Sequence, residues 1–180
     1  MNVQEIMCRM IDYSHGNHHD INHFMKVYAF AETIAACEQL SPRVREITGI
    51  AAIIHDIACP LCREKYGNTN GKYQEAEGVI LAREFLSGCG LPEDVTERVV
   101  YLVGHHHTYS EVDGVDYQIL LEADYLVNAD ESNYSQEKIR GAMERLFKTA
   151  TGTALLKSIY GVCEGCSAYR HSHILHTHCS

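Results

Sequence analysis

An adjacent histidine and aspartate, His55-Asp56, interrupt the apolar run Ala51-Ala-Ile-Ile-His-Asp-Ile-Ala58. A carboxylate among so many apolar neighbours is costly to bury unless a cation or hydrogen-bond donors compensate it. In a helix the two side chains leave the axis about 100° apart. They do not share a stripe, but they can converge on an ion lodged beside the helix. His23 opens the inward face of an earlier helical segment, and Asp124 breaks the apolar face of a later one, Leu121-Glu-Ala-Asp-Tyr-Leu-Val127. Two imidazoles and two carboxylates form a mixed ligand set that suits a divalent transition metal: Mn, Fe, Co, Ni or Zn. Mg fits less well because it prefers oxygen ligands. A hydrogen-bonded His-Asp pair is the commoner occupant of a buried helix, so the pair alone leaves both readings open.

These residues need helices to position them, and the periodicity supplies helices throughout. From Asp20 to Gln39, His23, Lys26, Val27, Phe30 and Ile34 share one face, with Asp20 as the expected cap. Ser41-Pro42 reads as N-cap and first helical residue of a central helix, apolar nearly all round, that runs through Ile57 and ends at Pro60. Cys59 to Lys72 reads as a loop, of the length that often closes over a site. Further helices are expected from Gln74 to Ser87, from Pro92 to the triplet His105-His106-His107, from Tyr117 to Asn128, from Gln136 to Lys148 and from Thr153 to Tyr160. No stretch alternates like a strand. The expected fold is all-α, a compact helical bundle, with one domain over residues 1–160. Residues 161–180 form a Cys/His-rich tail with Cys163, Cys166, His171, His173, His176, His178 and Cys179, and with little to bury.

Composition narrows the partners. The formal net charge of -9 argues against general affinity for nucleic-acid polymers or anionic membranes. An anionic substrate would need a local positive centre. The N-terminus lacks a secretory pattern and no apolar run approaches the ~20 residues of a membrane span. Eight cysteines then read as reduced thiols of a cytoplasmic protein. Cys59-Pro-Leu-Cys62 and Cys163-Glu-Gly-Cys166 offer zinc or redox chemistry in principle. The simpler expectation is that Cys59 is a small buried residue.

The order and placement of His19-Asp20-Ile-Asn-His23, Ile-Ile-His55-Asp56-Ile57 and Glu122-Ala-Asp124 resemble the HD superfamily of metal-dependent phosphohydrolases, most of all its small stand-alone bacterial members. The likeness covers roughly residues 15–130. It implies a helical bundle in which His23, His55, Asp56 and Asp124 hold the metal. Three positions depart from the pattern. Gln74 stands where dinuclear members carry a histidine, which argues for one metal. Cys59 stands where some nucleotidase members carry a glutamate. Tyr125 stands where several small members carry an arginine.

The implied activity is hydrolysis of a small phosphorylated substrate, a nucleotide by preference, by a metal-activated water. Asp56 would bind the ion and accept a proton from the water. His106 and His107 are the candidates to pass a proton to the leaving oxygen. Lys26, one turn after His23, and Arg63 and Lys65, in the segment after the metal helix, are candidates to meet the substrate phosphate. Two rivals stay in view. One is a metal-bearing nucleotide sensor with little turnover; the other is a di-iron oxygenase of the same superfamily, drawing extra ligands from the triplet.

Overall fold

The computed structural model describes residues 1–162, all of whose regular elements are helical. The tail's Cys163 to Cys179 lie outside the described residues.

Helix α1 (Val3–Tyr13) has no counterpart among the expected elements. A capping box starts it: the Asn2 side chain accepts the Glu5 backbone N–H, and the Glu5 carboxylate accepts the Asn2 backbone N–H. Helix α2 (His18–Cys37) begins earlier than expected, and Asn17 caps it rather than Asp20. Asp20 sits in the first turn, where its negative charge complements the helix dipole.

Helix α3 (Pro42–Ile54) starts where Ser41-Pro42 requires and is buried continuously from Ile47 to Ile54. It stops three residues before Ile57. A tight turn over residues 55–58 follows, closed by Ile57 N–H to Ile54 O at 3.0 Å and Cys59 N–H to Asp56 O at 2.9 Å. Pro60 therefore does not end α3. It lies in the first turn of a new helix, α4 (Cys59–Tyr66), where a missing N–H costs nothing. The segment expected to be a loop is thus half helical, and the true loop is short, beginning at Gly67 in the left-handed region at φ 69°.

Helix α5 (Gly71–Leu86) is capped by Asn70. Helix α6 (Glu93–Val103) ends before the histidine triplet, which occupies a turn. Helix α7 (Val115–Glu131) is longer at both ends than its apolar pattern suggests, and α8 (Gln136–Arg145) and α9 (Ala150–Tyr160) complete the order. Gly161 closes α9 at φ 64°, and Val162 turns back into the core.

Helix α3 is the axle of the bundle. It packs against α1, α2, α6 and α7, while α2 also lies along α7 and α5 along α6. Each Ile or Val so enclosed contributes about 1.5–3 kcal/mol relative to exposure. This burial fixes where the C-terminal end of α3 presents His55 and Asp56. No helix among the described residues is long and apolar enough to cross a membrane.

Candidate metal centre

The four residues singled out as ligands arrive from three helices and one turn. His23 comes from α2, Asp124 from α7, His55 from the C-cap of α3, and Asp56 from the turn behind it. Nε2 of His23 lies 3.3 Å from Nε2 of His55, 3.2 Å from Asp124 Oδ1 and 3.6 Å from Asp56 Oδ2. Nε2 of His55 lies 3.5 Å from Asp124 Oδ1 and 3.7 Å from Asp56 Oδ2. Both carboxylates therefore lie against the same pair of imidazole nitrogens. His55 is fully buried, and the Asp56 side chain keeps a quarter of its surface open to the cleft.

The outer nitrogens are already engaged. His55 Nδ1 donates to the Ala52 carbonyl at 2.9 Å, and His23 Nδ1 is 2.8 Å from Glu131 Oε2. In the neutral rings these partners favour the proton on Nδ1, which leaves both Nε2 atoms to face inward as ligands, as in metal-binding histidines oriented from behind. Burial acts to lower the His23 pKa, but Asp124, Asp56 and Glu131 outweigh it and raise it to about 9. Burial acts to raise Asp56 and Asp124, yet the facing histidines hold both well below the usual carboxylate range. A cluster so arranged is suited to bind a cation: two ionised carboxylates, with imidazole nitrogens turned toward the same space.

The histidine triplet divides into three roles. His105 Nδ1 bonds the Tyr101 carbonyl at 2.7 Å and its ring stacks on Tyr101, away from the cleft. His106 is fully buried, with Nδ1 on the Val103 carbonyl at 2.8 Å. Its Nε2 lies 3.3 Å from Asp56 Oδ1 without the alignment of a hydrogen bond. His107 lines the cleft, its Nε2 buried and without a hydrogen-bond partner among the described residues. Burial, reinforced by His106, lowers its pKa to about 4. Ligand atoms of Asp56, His106 and His107 lie within 4.8 Å of one another, as do those of His23, His55 and Asp56.

The cleft has a volume of about 310 Å³ and is lined by His23, Asp56, Arg63, Gln74, His107 and Asp124, among others. Arg63 reaches its mouth from α4 and pairs with Asp20. Lys26 is placed differently from expectation: its ammonium bonds Glu131 at 3.0 Å, on the far side of His23. Lys65 bonds Glu77 at 2.6 Å and does not line the cleft. Gln74 is buried there with its amide committed, accepting from the Cys59 thiol and donating to the Thr69 carbonyl at 3.0 Å.

Four contributors were not anticipated: Asn128, Glu131, Glu75 and Tyr109. Asn128 donates to Asp124 Oδ1 at 2.8 Å. Asn128 and Glu131 follow Asp124 at i+4 and i+7, one helical face, and that spacing was there to be read. Glu75 accepts the His107 backbone N–H at 3.0 Å and so holds the triplet turn against α5. Glu75 lies in Gln74-Glu-Ala-Glu-Gly78, a stretch that falls within the family resemblance, whereas no local pattern marks Tyr109.

The HD domain family matches residues 20–138, more than half of the chain, and the chain belongs to that family. The superfamily is one of metal-dependent hydrolases, and the His/Asp cluster is a donor set that fits a divalent metal. Among solved structures, a predicted HD superfamily hydrolase from an uncultured Thermotogales bacterium is similar. It aligns over 88% of this chain and 84% of its own at 21% identity and a TM-score of 0.63. The Lin1889 protein from Listeria innocua aligns over 87% of this chain and 88% of its own at 15% identity and a TM-score of 0.56. These likenesses establish the all-α fold as that of HD domains. No curated protein matches the chain.

Proposed function

We propose that the protein is a metal-dependent phosphohydrolase that cleaves a phosphate ester or anhydride of a small molecule, a nucleotide by preference, with water as the nucleophile. The observation that carries this is the convergence of His23 Nε2, His55 Nε2, Asp56 Oδ2 and Asp124 Oδ1 within 3.2–3.7 Å of His23 or His55, at the floor of an open cleft.

These four residues would hold one divalent transition metal. When bound, such an ion supplies Lewis acidity toward phosphoryl oxygens and lowers the pKa of water from 15.7 to about 7. The chain's own groups do the rest. Asp56, ionised and partly open to the cleft, accepts a proton as the new P–O bond forms. As the old P–O bond breaks, the leaving oxygen needs a proton; His107, the neutral imidazole that faces the cleft, relays to it the proton taken up by Asp56. His106 is packed behind Asp56 and acts by orienting that carboxylate. Arg63 is the cation at the cleft mouth that can exchange Asp20 for a substrate phosphate; Lys26 and Lys65 play no direct part.

The committed amide of Gln74 supports a single ion. A second reading, two ions sharing Asp56, is favoured by the nearness of His106 and His107 to that carboxylate. It is also the arrangement a di-iron oxygenase would need. A nucleotide sensor would keep the metal and show no turnover. Metal analysis of the purified protein, combined with a panel of nucleotides and simple phosphate esters, separates these readings. The proposal expects one metal per chain and phosphate release. Metal without phosphate release from any ester would contradict it.

A further inference from the structure

A second cavity, of about 550 Å³, adjoins the cleft, and Tyr109, Asp124, Asn128 and Tyr134 line both. Its size is that of a small-molecule site. Tyr125 and Tyr134 stand 5.7 Å apart between ring centroids, and the Tyr125 hydroxyl is tied to the Lys138 carbonyl at 3.3 Å. Tyr109 presents an exposed ring at the boundary between the two spaces. Aromatic rings fixed in this way offer stacking faces to a planar group, worth about 1–3 kcal/mol per base in nucleic-acid sites.

Its charge is opposite to that of the metal centre. Lys138 Nζ sits 3.0 Å from the centroid of the Tyr134 ring, and Arg145 completes the lining. Arg43, Arg45, Arg63, Arg83 and Arg98 each pair with a carboxylate. Arg145 has no carboxylate partner among the described residues, and Asp124 is the one acid in the cavity's described lining. In a chain of net charge -9, an arginine and a lysine beside a tyrosine-walled cavity are conspicuous. Asn128, in the lining of both spaces, donates its side-chain amide to Asp124.

We propose that this cavity holds the leaving group of the substrate, and that the leaving group is a nucleoside-sized unit with a planar ring and a second negative charge met by Arg145. The assignment rests on hydrolysis at the metal centre. The scissile phosphate lies over His23, His55, Asp56 and Asp124; the ring lies among Tyr109, Tyr125 and Tyr134; the second anion faces Arg145 and Lys138. That anion is either a carboxylate on the ring or a further phosphate on the sugar.

The test compares kcat/KM for ribose 5-phosphate, uridine 5′-monophosphate, orotidine 5′-monophosphate and uridine 3′,5′-bisphosphate with the full-length protein. The ring should raise kcat/KM about tenfold over ribose 5-phosphate. The second anion should raise it about tenfold again, the effect of a charge-assisted hydrogen bond. A second gain for the orotidine compound alone assigns a ring carboxylate; a gain for the bisphosphate alone assigns a sugar phosphate. Arg145→Met should reduce the second gain to less than twofold, Arg145→Lys should keep part of it, and Tyr134→Leu should diminish the first. Equal kcat/KM for all four compounds, or a second gain that survives Arg145→Met, would overturn the assignment. If no compound is hydrolysed, the hydrolase reading fails, and calorimetric binding of uridine 3′-monophosphate still tests the cavity. Binding weakened about tenfold by Arg145→Met retains it as an anion-reading pocket, and binding indifferent to that change overturns it.

Discussion

Glu131 Oε2 lies 2.8 Å from Nδ1 of His23, and its other oxygen holds Lys26 at 3.0 Å. One carboxylate thus orients a candidate ligand and takes up the lysine expected to meet substrate. Outer partners of this kind are typically worth 10–100-fold in metal affinity or activity. Glu131→Ala is expected to weaken metal binding by about that factor, and Glu131→Gln by less, since an amide keeps one hydrogen bond. Competitive chelator titration reads both. Unchanged affinity in Glu131→Ala would mean that His23 needs no support from behind.

Gly71, the first residue of α5, stands against His107. A Cβ at this position would come within 2.6 Å of His107 Cγ, so Gly71→Ala must push the ring. A displacement near 1 Å at a reacting group costs about 10²-fold. The variant is expected to keep its metal and lose roughly that much turnover, and His107→Ala in the same background should then add little. Full turnover in Gly71→Ala would remove His107 from the chemistry.

The titration of His23 gives a pH signature. Its pKa in the folded, metal-free protein is raised to about 9. A raised value means that the stabilisation is fully present below the ordinary value of about 6.5 and is lost as pH rises through about 9. Metal binding requires the neutral imidazole, while Asp56 and Asp124 are already ionised. Metal uptake at pH 7 should therefore release about one proton or more, and apparent affinity should rise up to about pH 9. Calorimetry in buffers of different ionisation enthalpy measures the protons. Uptake with no release at pH 7 would contradict this charge state.

Glu122 belongs to the same sequence stretch as Asp124 but has another task. It is fully buried and accepts the backbone N–H groups of Lys148 at 2.6 Å and Thr149 at 2.9 Å, the Gln118 amide at 2.7 Å and the Thr149 hydroxyl. Glu122→Ala would strand several buried donors, at about 1–3 kcal/mol each. Thermal unfolding is expected to show a clear loss of stability, while the folded fraction retains its metal. A stability equal to wild type would mean that water replaces the carboxylate.

The helices most legible in the sequence were those with uninterrupted apolar faces and a strong cap, α3 above all, where Ser41-Pro42 set the start. What resisted reading was the break after Ile54. The apolar pattern continues through Ile57, and Pro60 reads equally as a stop for one helix or a start for the next. The turn bonds at Ile57 and Cys59 decide between them, and no local sequence pattern marks them. The cluster of His23, His55, Asp56 and Asp124 was legible because each breaks an apolar face. Lys26 and Lys65 were not, because a long flexible side chain is placed by its carboxylate partner: Glu131 for Lys26 and Glu77 for Lys65, as Asp20 is for Arg63. Of these, only Arg63 lines the cleft.

The central claim is that one metal held by these four residues carries the hydrolysis. The direct measurement is metal content and phosphate release, made on the same preparations, for the wild-type protein, His55→Ala and Asp124→Ala. One metal per chain is expected in the wild type, and loss of both metal and phosphate release in each variant, with helical content preserved by circular dichroism. Either variant retaining full metal content and full turnover would contradict it.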